Sequence, residues 1–124
     1  MRVSWIYTRP DGKSTFRDLD IPLKSADYGS LSEVVPVEGV VFRETPVGGT
    51  FDYHRPARRQ FVVTLSGLAE IEAGDGTKRR FGGGDIMLAD DTTGEGHITR
   101  DLEGPRRSLF LLVSPAFDFS PWAM

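Results

Sequence analysis

Two histidines are the side chains of this sequence best suited to chemistry. His54 and His97 are the only histidines among its 124 residues, and there is no cysteine. Any metal ion would therefore be held by imidazole and oxygen ligands rather than by thiolates. Without a metal, a neutral imidazole can serve as a general base or as a hydrogen-bonding anchor for a ligand. Both histidines are therefore candidate catalytic residues and candidate ligand-binding residues.

Each histidine lies at the end of a short strand-like segment, so the two-residue period of a strand identifies the neighbours on its face. If His54 points inward, Asp52 points inward with it, and His97 brings Thr99 to the same side. Strands that are distant in the sequence can bring the two imidazoles together inside a barrel. The strand period thus predicts Asp52, His54, His97 and Thr99 as ligand-binding residues, and Thr64 is a further candidate.

The segment that precedes His97 is rich in acidic residues and glycine. It contains Asp90, Asp91 and Glu95. These carboxylates have three interpretations. They are hydrogen-bond partners that fix the tautomer of His97, or ligands of a cation at the mouth of the barrel. Alternatively, the segment is an Asx-type turn in which Asp90 and Asp91 accept hydrogen bonds from backbone amides. The composition of the segment favours the turn.

The elements that must position these side chains are strands. Glycine and proline interrupt the chain about every ten residues, and short segments rich in Val, Ile, Phe, Thr and Leu lie between them, which predicts an all-β protein without a long helix. A tight glycine hairpin is expected at 73–76, a loop or one helical turn within 22–38, and an irregular strap after Val113. The predicted strands are 3–8, 15–21, 40–44, 51–54, 60–66, 69–73, 78–81, 85–89, 97–100 and 108–114.

Two of the predicted strands contain apolar runs rather than alternating patterns. The runs are 61–65 and 109–113. A strand of this kind is covered on both faces. The core of a small barrel covers one face, and the other face needs either a terminal segment or a second subunit. We therefore expect a homodimer, with cover by the N-terminal strands as the alternative.

Length and charge limit the classes of protein to consider. A chain of 124 residues is the usual size of a single domain, and the net charge is −3. We expect no nucleic-acid partner, because the basic clusters are short and lie near acidic residues. We interpret Arg58-Arg59, 78–80 and Arg106-Arg107 as solvated edge charges. No apolar run is long enough for a signal peptide or a membrane span, so we expect no membrane partner and a cytoplasmic location.

The spacing around His54 resembles the first motif of the cupin superfamily, which includes germin-like and sugar-epimerase-like proteins. The sequence has Gly48, five residues, His54, one residue, Pro56, three residues, Gln60, six residues and Gly67. The family motif has the same intervals, with a second histidine at the position of Pro56 and a glutamate at the position of Gln60. The intervals therefore match, while two of three metal-ligand positions differ.

The second cupin motif is similar to the stretch from Gly84 to His97, with Asp90 in place of a proline and a turn two residues longer. Asp101 stands at the position of the final asparagine. The resemblance implies a double-stranded β-helix, also called a jelly roll or cupin barrel. It implies one cupin domain over 1–124, with a barrel core at about 40–114 and N-terminal strands 1–39 packed on it.

The cupin metal site uses three histidines and a carboxylate to hold Fe, Mn, Ni or Zn. The resemblance transfers His54, Gln60 and His97 to this chain as metal ligands. Because the carboxylate of the family motif is lost, the set has no charge to neutralise a divalent cation, and we expect none to be tightly bound. Asp52, two residues before His54, offers a carboxylate that would restore the missing ligand.

The sequence leaves three functions open, and whether the chain is an enzyme is undecided. The first is binding of a small, polar, neutral or anionic organic molecule in a pocket around His54, Gln60 and His97. The alternative is an enzyme: a metal-dependent dioxygenase or lyase, or a metal-free sugar isomerase or epimerase with a histidine base. The third is a cupin kept for dimerisation or regulation. For the first, we expect replacement of either histidine by alanine to weaken ligand binding with little change in folding.

Overall fold

The computed structural model describes all 124 residues, and almost all of its regular structure is β-strand. A three-residue 3-10 helix, Ser120–Trp122, lies near the C-terminus, and no helix is long and apolar enough to cross a membrane. The strands are β1 (Arg2–Thr8), β2 (Ser14–Asp20), β3 (Lys24–Ala26), β4 (Gly29–Leu31), β5 (Val37–Thr45), β6 (Thr50–His54), β7 (Gln60–Ala73), β8 (Lys78–Phe81), β9 (Ile86–Asp90) and β10 (His97–Val113).

The two longest strands, β7 and β10, form an antiparallel ribbon at the centre of an eight-stranded sheet. Each pairs with two shorter strands on its other edge. On β7, residues 60–63 pair with β9 and residues 69–72 pair with β8. On β10, the first half pairs with β6 and the second half pairs with β5. At the far side, β1 runs parallel to β9 and carries β2, while β3 and β4 form a separate hairpin.

The sheet has an apolar core on each face, as the two apolar runs predict. Phe61 and Leu88 face one side, and their sequence neighbours Val62 and Met87 face the other. The first core contains Val3, Leu19, Phe61, Leu88, Val113 and Phe119. The second core contains Ile6, Ile71, Ala73, Phe81, Met87 and Ala89. A candidate site on the second face is therefore backed by a packed apolar layer.

The C-terminal tail covers part of the first face. The rings of Phe61 and Phe119 meet edge to face with centroids 5.5 Å apart, and Phe119 has no exposed surface. Arg59 donates hydrogen bonds to the carbonyls of Ser114 and Phe117, and its guanidinium lies 4.6 Å from the centroid of the Phe119 ring. The tail is the strap that the sequence predicts, and a terminal segment of the same chain thus covers part of the apolar run.

Four predicted strands are two strands in the structure. Segments 60–66 and 69–73 are the single strand β7, and segments 97–100 and 108–114 belong to β10. The sequence predicts a turn at Gly67, between the segments 60–66 and 69–73. In the structure Gly67 lies instead at a bend within β7, where the two long strands approach closely. Its φ is +84°, and a Cβ there would lie 2.8 Å from the Cα of Arg106. The glycine therefore allows the ribbon to bend without ending it.

Two other sequence-based expectations are wrong. Part of the 22–38 segment, expected as a loop or helical turn, forms the exposed hairpin of β3 and β4. The arginine pairs are not uniformly solvated either. Arg106 is 3 % exposed and the side chain of Arg59 is 11 % exposed, whereas their neighbours Arg58 and Arg107 lie at the surface. Strand alternation explains the difference between Arg106 and Arg107, which are adjacent on β10 and point to opposite faces, whereas Arg59 lies before β7 and is covered by the C-terminal tail.

Candidate functional site

A cavity of about 320 Å³ opens on the second face of the sheet. Four of the six predicted ligand-binding residues line it: His54, Gln60, His97 and Thr99. The volume is at the small end of ordinary ligand pockets. Its apolar lining includes Val62, Ile71, Met87, Ala89 and Phe110. The cavity thus combines an apolar wall with a cluster of polar side chains.

The two histidines face each other across neighbouring strands. His54 on β6 pairs in register with His97 on β10, and their ring centroids are 4.8 Å apart. Their environments differ. His97 is 5 % exposed, whereas His54 is exposed and its Nδ1 lies 3.1 Å from the backbone carbonyl of Asp52. One imidazole is therefore fixed in the wall of the cavity, and the other lies at its mouth.

A buried carboxylate holds His97 in place. Nδ1 of His97 lies 2.6 Å from Oδ2 of Asp91, which has no exposed surface. An ionised carboxylate only accepts hydrogen bonds, so this contact assigns the proton to Nδ1. In the neutral ring Nε2 is then an acceptor, and it has no partner within the protein. The pair therefore presents one hydrogen-bond acceptor, or one base, to the cavity.

The N-terminal hairpin positions the segment that ends at His97. The buried hydroxyl of Ser14 donates to the carbonyl of Gly96 at 2.7 Å and accepts from the amide of Gly74 at 2.8 Å. The amide of Glu95 donates to the carbonyl of Gly12 at 3.1 Å. These bonds attach the segment to β2 and to the turn that precedes it, so residues outside the cavity define the direction of His97.

Gly96 brings the backbone of His54 close to that of His97. Its φ is +77°, and a Cβ at this position would lie 1.8 Å from the carbonyl oxygen of His54. Only glycine combines this positive φ with so close an approach of two backbones. The short distance between the imidazoles therefore depends on a residue that carries no chemistry itself.

The interpretation of Asp90 and Asp91 as turn-capping residues is wrong. Asp91 binds His97, and Asp90 accepts from the indole of Trp5 at 3.0 Å and lies 3.1 Å from Nε of Arg59. Burial raises the pKa of Asp90 above its ordinary value, while Trp5 and Arg59 act against that rise. The sequence prediction of a carboxylate that fixes the tautomer of His97 applies to Asp91.

Arginines surround the polar side of the cavity. Arg43, Arg55 and Arg106 line it, and the lining contains no Asp or Glu. Nε of Arg106 lies 2.7 Å from Oδ1 of Asp101, and both side chains are buried. Arg43 has no carboxylate partner within 4.0 Å and lies over the rings of Phe51 and Phe110, at 5.7 and 5.4 Å from their centroids. Burial and the neighbouring Arg106 lower the pKa of Arg43 below its ordinary value.

Asp52 and Thr64 do not line the cavity, contrary to the sequence prediction. Asp52 is exposed, and its Oδ1 accepts a hydrogen bond from the amide of Tyr53 at 2.8 Å. A register shift in the pairing of β6 with β10 places Phe51 opposite Thr99, so strict alternation from His54 fails there. Thr64 is 1 % exposed and lies at the bend of β7, where its amide donates to the carbonyl of Asp85.

Three residues of the site were not among the predicted ligand-binding residues: Arg43, Asp91 and Arg106. Arg43 had a detectable signal, because period two on β5 places it on the face of Val41 and opposite the face of the exposed Phe42. For Asp91 the signal was its position in the acidic segment before His97. Arg106 had none, since only the tertiary fold reveals that it pairs with Asp101.

These residues do not fit the divalent metal site of the cupin family. His54, Gln60 and His97 do meet at one cavity, but no group of three or more His, Cys, Asp or Glu is arranged to hold a metal ion. Asp52 is exposed and does not line the cavity, and the lining carries guanidinium groups instead of carboxylates. The guanidinium groups would repel a divalent cation in the cavity, and no carboxylate of the lining would neutralise its charge.

Comparison with known proteins gives a partial structural likeness and no family. No protein-family model matches the chain, and no curated protein matches it in sequence. The crystal structure of a conserved protein of unknown function from Streptococcus pyogenes is similar to part of it, with a TM-score of 0.46 and 19 % identity. The similarity covers 67 % of this chain and 82 % of that protein.

Proposed function

We propose that this chain is a cupin-type double-stranded β-helix that binds a small organic molecule without a metal. The spacing of the two motif-like segments supports the fold, because the residues that correspond to cupin ligands meet in one cavity. The guanidinium-rich lining supports binding without a metal. The ligand-binding residues of this proposal are His54, Gln60, His97 and Thr99.

The contact between Asp91 and His97 is the observation that carries the proposal. A buried carboxylate beside a buried imidazole costs desolvation free energy, which a purely structural core avoids with apolar residues. Here the cost fixes a single tautomer and leaves Nε2 of His97 without a protein partner. That arrangement suits a hydrogen-bond donor on a ligand, and Gln60 and His54 supply further donors and acceptors.

Imidazole ¹⁵N NMR tests this proposal directly, because the chain has only two histidines. We expect the His97 ring to be the Nδ1-protonated tautomer in wild type and a mixture of tautomers in Asp91→Asn. In a fragment screen, bound fragments should shift the Nε2 resonance of His97, and His97→Gln should abolish their binding. Fragments that bind wild type and His97→Gln equally would overturn the proposal. Stoichiometric metal in protein purified without an affinity tag would overturn the metal-free part.

The same pair favours a second candidate, a metal-free enzyme with His97 as general base, such as a sugar isomerase or epimerase. A histidine whose second nitrogen is held by a carboxylate is a common arrangement for proton transfer. Hydrogen exchange into D₂O at carbon atoms next to the carbonyl of small sugars would distinguish the two functions. Exchange that requires both His97 and Asp91 identifies an enzyme, and binding without exchange identifies a binding protein.

We also propose that two copies of the chain pair through the uncovered part of the first face. Val40, Phe42 and Leu65 are exposed there, and Phe42 is 82 % exposed. Next to them Glu44 and Arg107 lie 3.6 Å apart, so the surface carries both charges side by side. A patch with an apolar centre and one charge of each sign is complementary to its own copy under a two-fold rotation.

A further inference from the structure

We infer that the cavity is specific for organic anions, with Arg43 as the residue that binds the carboxylate or phosphate group of the ligand. This inference rests on the proposed binding function and adds its ligand class. It starts from the charges around the cavity. Three guanidinium groups and two imidazoles line it, and the lining carries no acidic side chain.

The nearest buried carboxylates neutralise only part of this set. Asp101 is paired with Arg106, and Asp91 is paired with His97. The first pair leaves no net charge, and the second, with the neutral imidazole described above, leaves one negative charge against the two positive charges of Arg43 and Arg55. Arg43 and Arg55 remain without a carboxylate within 4.0 Å. The cavity therefore has an excess of positive charge, although the whole chain has a net charge of −3. Local charge of the opposite sign to the rest of the molecule favours an anionic ligand.

Arg43 is the residue best prepared to bind that anion. Its guanidinium lies 5.7 and 5.4 Å from the ring centroids of Phe51 and Phe110, and no hydrogen bond or ion pair within the protein occupies its N–H groups. Partial burial makes an unpaired guanidinium costly, and the lowered pKa of Arg43 reflects that cost. An oxyanion that accepts two parallel hydrogen bonds from this fork would offset the cost. Arg55 is exposed, where solvent weakens an ion pair, so it is a secondary contact.

The apolar wall limits the rest of the ligand. Val62, Met87 and Phe110 lie on the same face as Arg43, and the volume is about 320 Å³. A compact apolar body with one anionic group matches these two surfaces. A benzoate-sized molecule satisfies both conditions, and an inorganic anion leaves the apolar wall unused.

Calorimetric titration with three probes of nearly identical shape tests this inference. Benzoate is anionic, benzamide is neutral and benzamidine is cationic. We expect benzoate to bind about tenfold more tightly than benzamide, and benzamidine not to bind, because a charge-assisted pair is worth roughly twice a neutral hydrogen bond. Phenyl phosphate in a fourth titration shows which anionic group is preferred: tighter binding than benzoate indicates a phosphate ester, and weaker binding indicates a carboxylate.

The matched variants are Arg43→Gln and Arg107→Gln. Both remove one positive charge from neighbouring strands, but Arg107 lies on the opposite face beside Glu44. We expect Arg43→Gln to weaken benzoate binding at least about tenfold and Arg107→Gln to leave it unchanged, while Arg43→Lys retains part of the affinity. Thermal unfolding of each variant checks that the fold is intact.

The outcomes separate the anion inference from the proposed function. If benzamide binds as tightly as benzoate and both depend on His97, the cavity binds ligands but the anion inference is wrong. If Arg43→Gln and Arg107→Gln weaken benzoate equally, the effect is general charge rather than a site, and the inference is again wrong. If none of the four probes binds at millimolar concentration, both the inference and the proposed binding function are overturned.

Discussion

The surroundings of the two histidines determine how much each contributes to stability. His97 and His54 are identical in chemistry and adjacent in space, but only His97 is buried against a carboxylate. Removal of His97 leaves the Asp91 carboxylate in the interior without its hydrogen-bond donor. Removal of the exposed His54 leaves no buried polar group without a partner. The sequence-based expectation of little change in folding therefore applies to His54 alone.

We predict that His97→Ala lowers the free energy of unfolding by about 1 to 3 kcal/mol, the usual cost of an unsatisfied buried polar group. His54→Ala should change it by less than about 0.5 kcal/mol, as surface substitutions do. Urea unfolding of both variants at neutral pH measures the difference. In the double variant His97→Ala with Asp91→Ala, part of the lost stability should return, because no buried carboxylate remains. Equal effects of the two single changes would contradict the structure.

Asp75 at the turn between β7 and β8 makes folding sensitive to acid. Burial alone would raise its pKa, but hydrogen bonds from the Thr15 hydroxyl and from the amide and hydroxyl of Thr77 lower the pKa below the ordinary value of 3.8. A lowered pKa means that the folded state prefers the ionised form. The resulting stability is present above the unfolded pKa and is lost as the pH falls through the folded pKa.

We therefore predict that the wild-type protein loses stability below about pH 4, and that Asp75→Asn shows a smaller loss over the same pH range. Asp27→Asn is the control, since Asp27 is exposed in the β3–β4 hairpin. Unfolding in urea at a series of pH values gives the change of the unfolding free energy with pH for wild type and for each variant. An Asp75→Asn slope identical to that of wild type would show that this carboxylate has no role in acid sensitivity.

At the scale of elements, the approach of β6 to β10 depends on Gly96. We predict that Gly96→Ala is more destabilising than Gly76→Ala. Both glycines have positive φ, +77° and +87°, so both changes carry backbone strain of about 1 to 2 kcal/mol. A Cβ at Gly76 has no neighbour within 4 Å, whereas one at Gly96 would overlap the carbonyl of His54. The extra cost should be about 1 to 3 kcal/mol and should move His54 away from His97.

Thermal unfolding gives the difference in stability, and imidazole NMR gives the displacement of His54. If the two alanine variants have equal stability, the close contact between Gly96 and His54 is not as the structure describes it.

The sequence predicts the position of most strands but not their continuity. Alternation and apolar runs are local properties, so β1, β2, β6 and β8 lie close to their predicted bounds. Gly67 has the composition signal of a turn, and only its contact with Arg106 reveals that the ribbon continues. The β3–β4 hairpin is exposed throughout, so it has no hydrophobic alternation to indicate it. Local signals therefore fail where partners come from distant segments.

The residues of the candidate site are likewise only partly predictable from local sequence patterns. Motif spacing brings His54, Gln60 and His97 together, because those intervals encode a fixed number of strand residues and turns. Strict alternation from His54 predicts that Asp52 lines the cavity. This prediction is wrong because the pairing of β6 with β10 shifts register. Arg43 and Arg106 are charged residues whose burial depends on the whole fold, and single-sequence patterns assign charges to the surface by default.

At the scale of the whole molecule, the uncovered apolar face predicts a dimer. Light scattering of wild type should give twice the mass of the chain, and Phe42→Asp should give the monomer, because a carboxylate in the apolar centre of the interface is desolvated without a partner. Tyr28→Asp is the control, since Tyr28 is an equally exposed aromatic residue in the β3–β4 hairpin. A monomeric wild type, or a Phe42→Asp protein that remains dimeric, excludes this interface.

The pairing of β1 with β9 has a consequence for the order in which the protein acquires its structure during synthesis. Ser4 to Tyr7 bond to Met87 to Asp90, so β1 waits for about 80 further residues to be synthesised before its partner emerges. Until then β1 and β2 form only a hairpin, which is marginally stable in water. Ser14 also lacks Gly96 during this interval. The binding cavity is therefore completed only after β9 and β10 have been synthesised, and refolding should be slow, as for other proteins dominated by distant strand pairs.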